Sequence, residues 1–352
     1  MSDHAPLRRA FDLQAAACRA FGSPFSADLL EFAAADIAAD GAVLSLLRPW
    51  AGADIRSLVA DAVPLRLLAG MHYLVLSGAA PALAAVYPRS GQEGDGRAAW
   101  AMARGRLATD AAALTRFIAL EPQTNEVRRS VCLLPGFLTV AEATGLPLRC
   151  FELGASAGLN QLWDRYHYRL GDAGDWGDPE AALHIDTDWR GAPPPLGGAT
   201  VIERGACDRK PVRLGNHQAR LRLRAYVWAD QAERLRRLDG AVAAALAAGT
   251  RVEAADAVDW TRRRVVPAPG AATVLFHSVF WWYMPSESQA ALTKIVRDLG
   301  ERGTAAAPFA WLRMEPPPDN KAIMELRLTL WPGGEDRRLA LVHPHGAWVR
   351  WT

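Results

Sequence analysis

Three groups of residues in this 352-residue chain combine types and spacing that could carry chemistry. The first is Glu152-x-Gly154-x-Ser156-x-Gly158, within the stretch FELGASAGLN. The small residues from Gly154 to Gly158 keep Cβ atoms away from a sharp turn, or from a ligand lying against the backbone. The second group is His277, Ser278, Trp281, Trp282 and Tyr283, closing TVLFHSVFWWYMP. His277 has the intrinsic pKa of a general base near neutrality, and Trp281 and Trp282 could cup an apolar acceptor. The structural alternatives are a hydrogen-bonded histidine on a buried strand and paired core aromatics. The third group is Arg313 and Glu315 in WLRMEPP, which either recognise a charged ligand or pair with each other.

Placing the first group requires a strand, a turn and a helix. Leu148 to Leu153 reads as a short buried strand with Gly154 at its tip, and Leu159 to Tyr166 resumes with helical spacing. That order matches the first unit of a nucleotide-type α/β site, in which backbone N–H groups face the ligand. Before it, the periodicity predicts helices over 7–21, 27–39 with Ser26 as N-cap, 65–76, 97–120 and 125–144, the last interrupted by Pro135. PRSGQEGDG, residues 88–96, is the candidate mobile loop. After the opening unit, YHYRL and ALHIDTDW read as an inserted hairpin around 166–198. ATVIERGACDRKP reads as a strand ending near Asp208, 221–248 as one long helix, and TRVEAADAVDW as a strand ending at Asp256. A further strand runs to His277, a helix from Glu287 to Gly300 is capped by Ser286, and WLRMEPP ends the next strand. Two final strands joined by Pro-Gly-Gly form an antiparallel hairpin. The expectation is an α/β fold, a mostly parallel sheet with a C-terminal antiparallel hairpin over 146–352, preceded by an all-helical N-terminal domain over 1–145.

Composition excludes several classes. Half of the residues are hydrophobic, 22% are charged and the net charge is +2, so no electrostatic footprint of a nucleic-acid binder exists. Cys18, Cys132, Cys150 and Cys207 are scattered without Cys-x-x-Cys spacing, which predicts buried free thiols in a reducing cytoplasm. No apolar run approaches the roughly 20 residues of a membrane helix. His343 and His345 in HPHG are two apart without a third ligand at suitable spacing, so a turn is expected there rather than a metal.

The motif at Glu152, GACDRKP at a second strand tip, ADA at a third and the closing hairpin together resemble the class I, Rossmann-like S-adenosylmethionine-dependent methyltransferases. QTNEVRRS, FELGASAGLN, WDRYHYRLGD, LRMEPP and HPHGAWVRW are similar to an uncharacterised bacterial family, domain of unknown function 2332, over nearly the whole chain. The methyltransferase resemblance implies S-adenosylmethionine as cofactor; no metal is expected. It implies a cofactor-binding set of Glu152, Gly154, Ala155, Ser156, Gly158, Asn160, Asp208, Asp256, Ala257 and His277. Glu152 and the backbone from Gly154 to Gly158 would face the methionine end, Asp208 the ribose hydroxyls, and Asp256 with Ala257 the adenine edge. Ser156 departs from the glycine that many members carry at that position. If YHYRLGD were the second strand, Asp172 would take the ribose role instead, and Asp256 could equally be a helix N-cap.

Methyl transfer needs alignment, exclusion of water and, for some acceptors, removal of a proton. His277, Tyr283 and Glu315 are the candidates for that chemistry. Gln123, Asn125 and Glu126, at a helix start ahead of the first strand, join Trp281, Trp282 and Arg313 as the candidate acceptor wall. Charge favours a small-molecule acceptor over nucleic acid. The expected protein is a cytoplasmic methyltransferase; the rivals are a non-catalytic binding protein of the same fold and a nicotinamide-dinucleotide oxidoreductase, whose Gly-x-Gly-x-x-Gly is absent.

Overall fold

The structure, a computed structural model, describes residues 4–89, 92–320 and 322–352. Ser90 and Gly91 of the candidate loop lie outside the described residues. The chain divides into two compact units, Met1–Thr124 with Asn216–Arg236, and Asn125–Gly215 with Arg237–Thr352.

The first unit is helical: α1 Ala5–Ala20, α2 Pro24–Ala38, α3 Ala42–Leu46, α4 Ile55–Ala60, α5 Val63–Leu76, α6 Pro81–Val86, α7 Gly96–Thr109 and α8 Ala111–Ala119, joined by α10 His217–Ala225. The helix expected over 97–120 is two, separated at Asp110. Ser23, not Ser26, is the N-cap of α2, since Pro24 begins the helix. The free N–H groups of that first turn are met from far away, Phe25 N donating to Asp230 Oδ2 at 3.0 Å. His72 on α5 lies 3.2 and 3.0 Å from the carbonyl oxygens of Ala225 and Val227. Burial drives its pKa down to about 4, so a neutral ring donates from Nδ1 to those carbonyls. These two sites tie residues 216–236 to helices at least 153 positions earlier, a link that no local pattern carries. The 221–248 helix is accordingly also two, α10 and α11 Ala232–Ala247.

Within this unit Ile55–Leu76 has the length and mean hydropathy, 1.4, of a membrane span, but 61% of the window is buried in the protein. It is also two helices, broken where Ala62 takes a left-handed φ of 50°.

The second unit opens with α9 Arg129–Thr144, which carries Pro135 and packs on the sheet. Its strands are β1 Leu148–Leu153, β2 His167–Arg169, β3 Asp175–Trp176, β4 His184–Asp186, β5 Asp188–Arg190, β6 Val201–Asp208, β7 Glu253–Ala254, β8 Ala272–Ser278, β9 Phe309–Glu315, β10 Met324–Trp331, β11 Glu335–Val342 and β12 Trp348–Trp351. Helices α12 Ala257–Arg264 and α13 Ser286–Glu301 complete it, so Ser286 begins α13 and Pro285 is its N-cap. Among the described residues the main sheet runs β5-β12-β11-β10-β9-β8-β1-β6-β7. From β7 to β9 neighbours are parallel; β9 to β12 alternate in direction, and β5 pairs parallel with β12. The mixed α/β fold, with a large, mostly parallel block and antiparallel C-terminal strands, is therefore present.

The expected inserted hairpin is corrected to a three-stranded sheet, β3-β2-β4. YHYRL and ALHIDTDW pair parallel, and the antiparallel partner of β2 is β3. Alternating side chains mark a strand without naming its neighbour, so the pairing was invisible locally.

The four cysteines are buried and free. Burial pushes the thiols of Cys18, Cys132 and Cys150 up to about 12, leaving them protonated and unreactive.

Candidate functional site at the strand tips

β1 lies between β6 and β8, so the chain leaves it in one direction for β6 and β7 and in the other for β8 and β9. Such a reversal opens a crevice beyond the carboxyl ends of the strands, where open α/β sheets bind ligands. Glu152, Asp208 and Ser278 stand at those ends, which also identifies the second strand as β6: Asp208 closes it, whereas Asp172 lies in a short 3-10 turn, Gly171–Ala173.

The turn after β1 has the left-handed backbone its glycines suggested, with φ of 65° at Gly154 and 77° at Gly158. Ser156 adopts 54° without being glycine. Asp208 laces this turn to β6, Oδ2 accepting from Ser156 N at 2.9 Å and Oδ1 from Lys210 N at 2.8 Å. Asn125 Oδ1 accepts from Leu159 N at 3.1 Å, fixing the start of the following segment. That segment, Leu159–Arg165, is a 3-10 stretch kinked at Leu162 rather than the expected α-helix. A Cβ on Gly154 would overlap the ring of Phe280, and one on Gly158 would overlap Gln161 and Val252, so protein side chains occupy the space the missing Cβ atoms leave.

Polar groups beside the turn are left unmet. Glu152 Oε2, Asn160 Oδ1 and Gln161 Nε2 are each buried without a hydrogen-bond partner among the described residues. Burial holds the Glu152 carboxyl well above the usual carboxylate range, and the negative charge of Asp208 adds to the rise. Ala155, within the turn, is buried. Asp256 is the N-cap of α12, its Oδ1 accepting from Val258 N at 2.9 Å and Asp259 N at 3.3 Å, with Ala257 the first helical residue.

His277 is fully buried near the end of β8. Its Nδ1 lies 2.7 Å from Glu315 Oε1, and Trp311 Nε1 donates to its Nε2 at 3.3 Å. An Nε2 that accepts requires the proton on Nδ1, so the neutral ring donates to Glu315. Glu315 Oε1 also accepts from Phe280 N at 2.8 Å and Trp281 N at 3.1 Å. Glu315 thereby fastens the turn after β8, in which Val279 holds a left-handed φ of 52°. Phe280 faces Gly154, and Trp281 stacks on His277 at 5.5 Å and 15°.

The remaining candidates are dispersed. Trp282 and Tyr283 are exposed and meet edge to face at 5.5 Å. Glu126 is buried with Oε1 accepting from Arg128 N at 3.2 Å, and Gln123 belongs to the first unit. Arg313 pairs with Asp336 and lies over the Trp311 ring at 4.0 Å rather than pairing with Glu315. HPHG forms a turn, with Gly346 N donating to the His343 carbonyl at 2.9 Å.

Sequence reasoning missed Phe280 and Gln161 at the glycine turn, and Arg297, Glu325, Arg327, Thr329, Trp331 and Asp336, which line a cavity of about 540 Å³ with His277, Trp281, Trp311, Arg313 and Glu315. The available signal was in MELRLTLW, where Glu325, Arg327 and Thr329 recur at every second position between buried residues, placing polar groups on a sheet face.

A family model described as "Uncharacterized protein conserved in bacteria (DUF2332)" matches residues 8–351. No curated protein matches the chain.

Proposed function

The chain belongs to the DUF2332 family, which names no reaction; from that premise we propose that it is an S-adenosylmethionine-dependent methyltransferase acting on a small-molecule acceptor. One observation carries the reading. A buried carboxyl, a glycine turn and a second carboxyl stand together at the point where the strand order reverses around β1. The donor set suits a cationic, hydroxyl-bearing cofactor: Glu152 has an unmet oxygen beside the charge of Asp208, and each Asp208 oxygen keeps a lone pair after one backbone contact. Glu152 and the turn would hold the methionine end, Asp208 the ribose, and Asp256 with Ala257 the adenine. The cofactor would supply an electrophilic methyl group; the protein's part is to bind, orient and exclude water.

A second reading, a binding protein without turnover, is favoured by His277 and Phe280. Both ring nitrogens of His277 are engaged, and the Phe280 ring covers Gly154. Calorimetric titration with S-adenosylmethionine and S-adenosylhomocysteine, with thermal unfolding alongside, tests the first reading. Ligand at about 100 times its Kd should stabilise the fold by roughly 2.7 kcal/mol. Asp208→Ala should abolish binding and Asp172→Ala should retain it. Absence of binding by folded protein at millimolar ligand would sink the methyltransferase reading.

A further inference from the structure

The cavity of about 540 Å³ on the α13 side of the sheet has a size usual for small-molecule sites. Its chemistry is specific. Alternation along β9 and β10 turns Trp311, Arg313 and Glu315, and Glu325, Arg327 and Thr329, toward the same space, while α13 contributes Thr293 and Arg297.

Donors outnumber acceptors on these walls. Asp336 already accepts from Arg313, Arg327 and Thr329. Glu325 is shared between Arg327 at 3.0 Å and Arg338 at 3.2 Å. Glu315 Oε1 takes three donors. Among the described residues no carboxylate pairs with Arg297, and Arg313 Nε is buried without a partner. Three guanidiniums face three carboxylates in this lining, and a guanidinium carries five N–H donors and no acceptor, so the unfilled donors of Arg297 and Arg313 call for an anionic acceptor. One acceptor also remains, Glu315 Oε2, which is buried and unpartnered among the described residues. It calls for a hydroxyl or N–H on the same ligand. Trp281 and Trp311, 5.6 Å apart, with Trp331 and Pro316 to Pro318, supply flat apolar walls between the polar groups.

We propose that this cavity binds a small planar carboxylic acid that also carries a hydroxyl or ring N–H. That such a ligand is the methyl acceptor rests on the methyltransferase reading; its binding does not.

The test is calorimetry on the full-length protein with 4-hydroxybenzoate, its neutral alcohol 4-hydroxybenzyl alcohol, and the cationic tyramine, each with and without S-adenosylhomocysteine. The acid should bind at least about tenfold more tightly than the alcohol, and tyramine more weakly still. Arg297 is exposed, so Arg297→Gln should fold normally and remove most of the acid's advantage. Lys294→Gln, on the same helix and outside the cavity, should change nothing. Equal binding of acid and alcohol, preference for the amine, no binding of any probe at millimolar concentration, or an unaltered Arg297→Gln variant would each overturn the proposal. Acid binding without S-adenosylhomocysteine binding would keep the cavity assignment and remove the methyltransferase reading; the reverse would do the opposite.

Discussion

At the tip of β1, Glu152 turns toward the sheet face that α9 covers, whereas on β8 and β9 His277 and Glu315 turn toward the opposite face, with α13. The register carries this division: Glu152 stands opposite Phe276 on β8, and His277 opposite Arg313 on β9. The Phe276 ring meets Phe137 of α9 at 5.0 Å. Each site keeps a buried, unmet carboxylate oxygen, Glu152 Oε2 and Glu315 Oε2, and the two differ in how many donors hold the acid in place. Glu152 is left with an unmet oxygen and a second acid nearby, while His277 uses both ring nitrogens and Glu315 Oε1 collects three donors. A region whose hydrogen bonds close internally holds a shape; a region with unmet buried groups waits for a partner or bears a cost. By that measure Glu315 Oε1 braces the turn after β8, and the Glu152 carboxyl, with Asp208 beside it, marks the crevice.

Removing the brace should have the largest effect. Glu315→Ala leaves His277 Nδ1 and the amides of Phe280 and Trp281 without their acceptor. The loss should be roughly 3 kcal/mol, since several buried donors are orphaned at once. Urea unfolding measures it. A loss under about 1 kcal/mol would mean that water replaces the carboxylate easily and that the turn needs no brace.

Gly154→Ala probes the contact between the two regions, because Gly154 belongs to the crevice and Phe280 to the braced turn. The new methyl group combines a left-handed φ with overlap of the Phe280 ring, and should cost about 2 kcal/mol. Adding Phe280→Ala should recover about 1 kcal/mol of that loss as coupling in a double-mutant cycle. Strict additivity would show that Phe280 does not rest on the turn.

Part of this arrangement was legible in the sequence. The buried run ending in Glu152, the small residues after it and the Pro-Gly-Gly turn between β10 and β11 are local signals, and each stands where it was expected. Asp208 was also legible as the end of a strand, although 52 positions separate it from Ser156, whose amide it holds. What escaped was pairing at a distance. Asp230 serves the first turn of α2 from 205 positions away, β2 pairs with β4 rather than folding back on it as a hairpin, and the cavity collects side chains from β8 to β11 and α13. Helix length was overread where a short break, at Asp110 or after Ala225, interrupts an alanine-rich pattern without a proline. Alanine favours helix on both sides of such a break, so composition does not reveal it.

The smallest expected effect is the most direct measure of the unmet carboxyl. Because burial raises the pKa of Glu152 in the folded protein above its unfolded value, the folded state binds the proton more tightly. The resulting contribution to stability is fully present below the unfolded pKa, about 4.3, and is lost as pH rises through the raised folded value, at up to about 1.4 kcal/mol per pH unit. Glu152→Gln keeps the shape and removes the titration. Its stability relative to wild type should therefore improve between pH 4 and pH 8, by about 1 kcal/mol or more. Urea unfolding of both proteins across that range gives the difference directly. A gap that stays constant with pH would mean that Glu152 finds a partner for its charge within the fold, and the contrast between a loosely held acid on β1 and a braced acid on β9 would disappear.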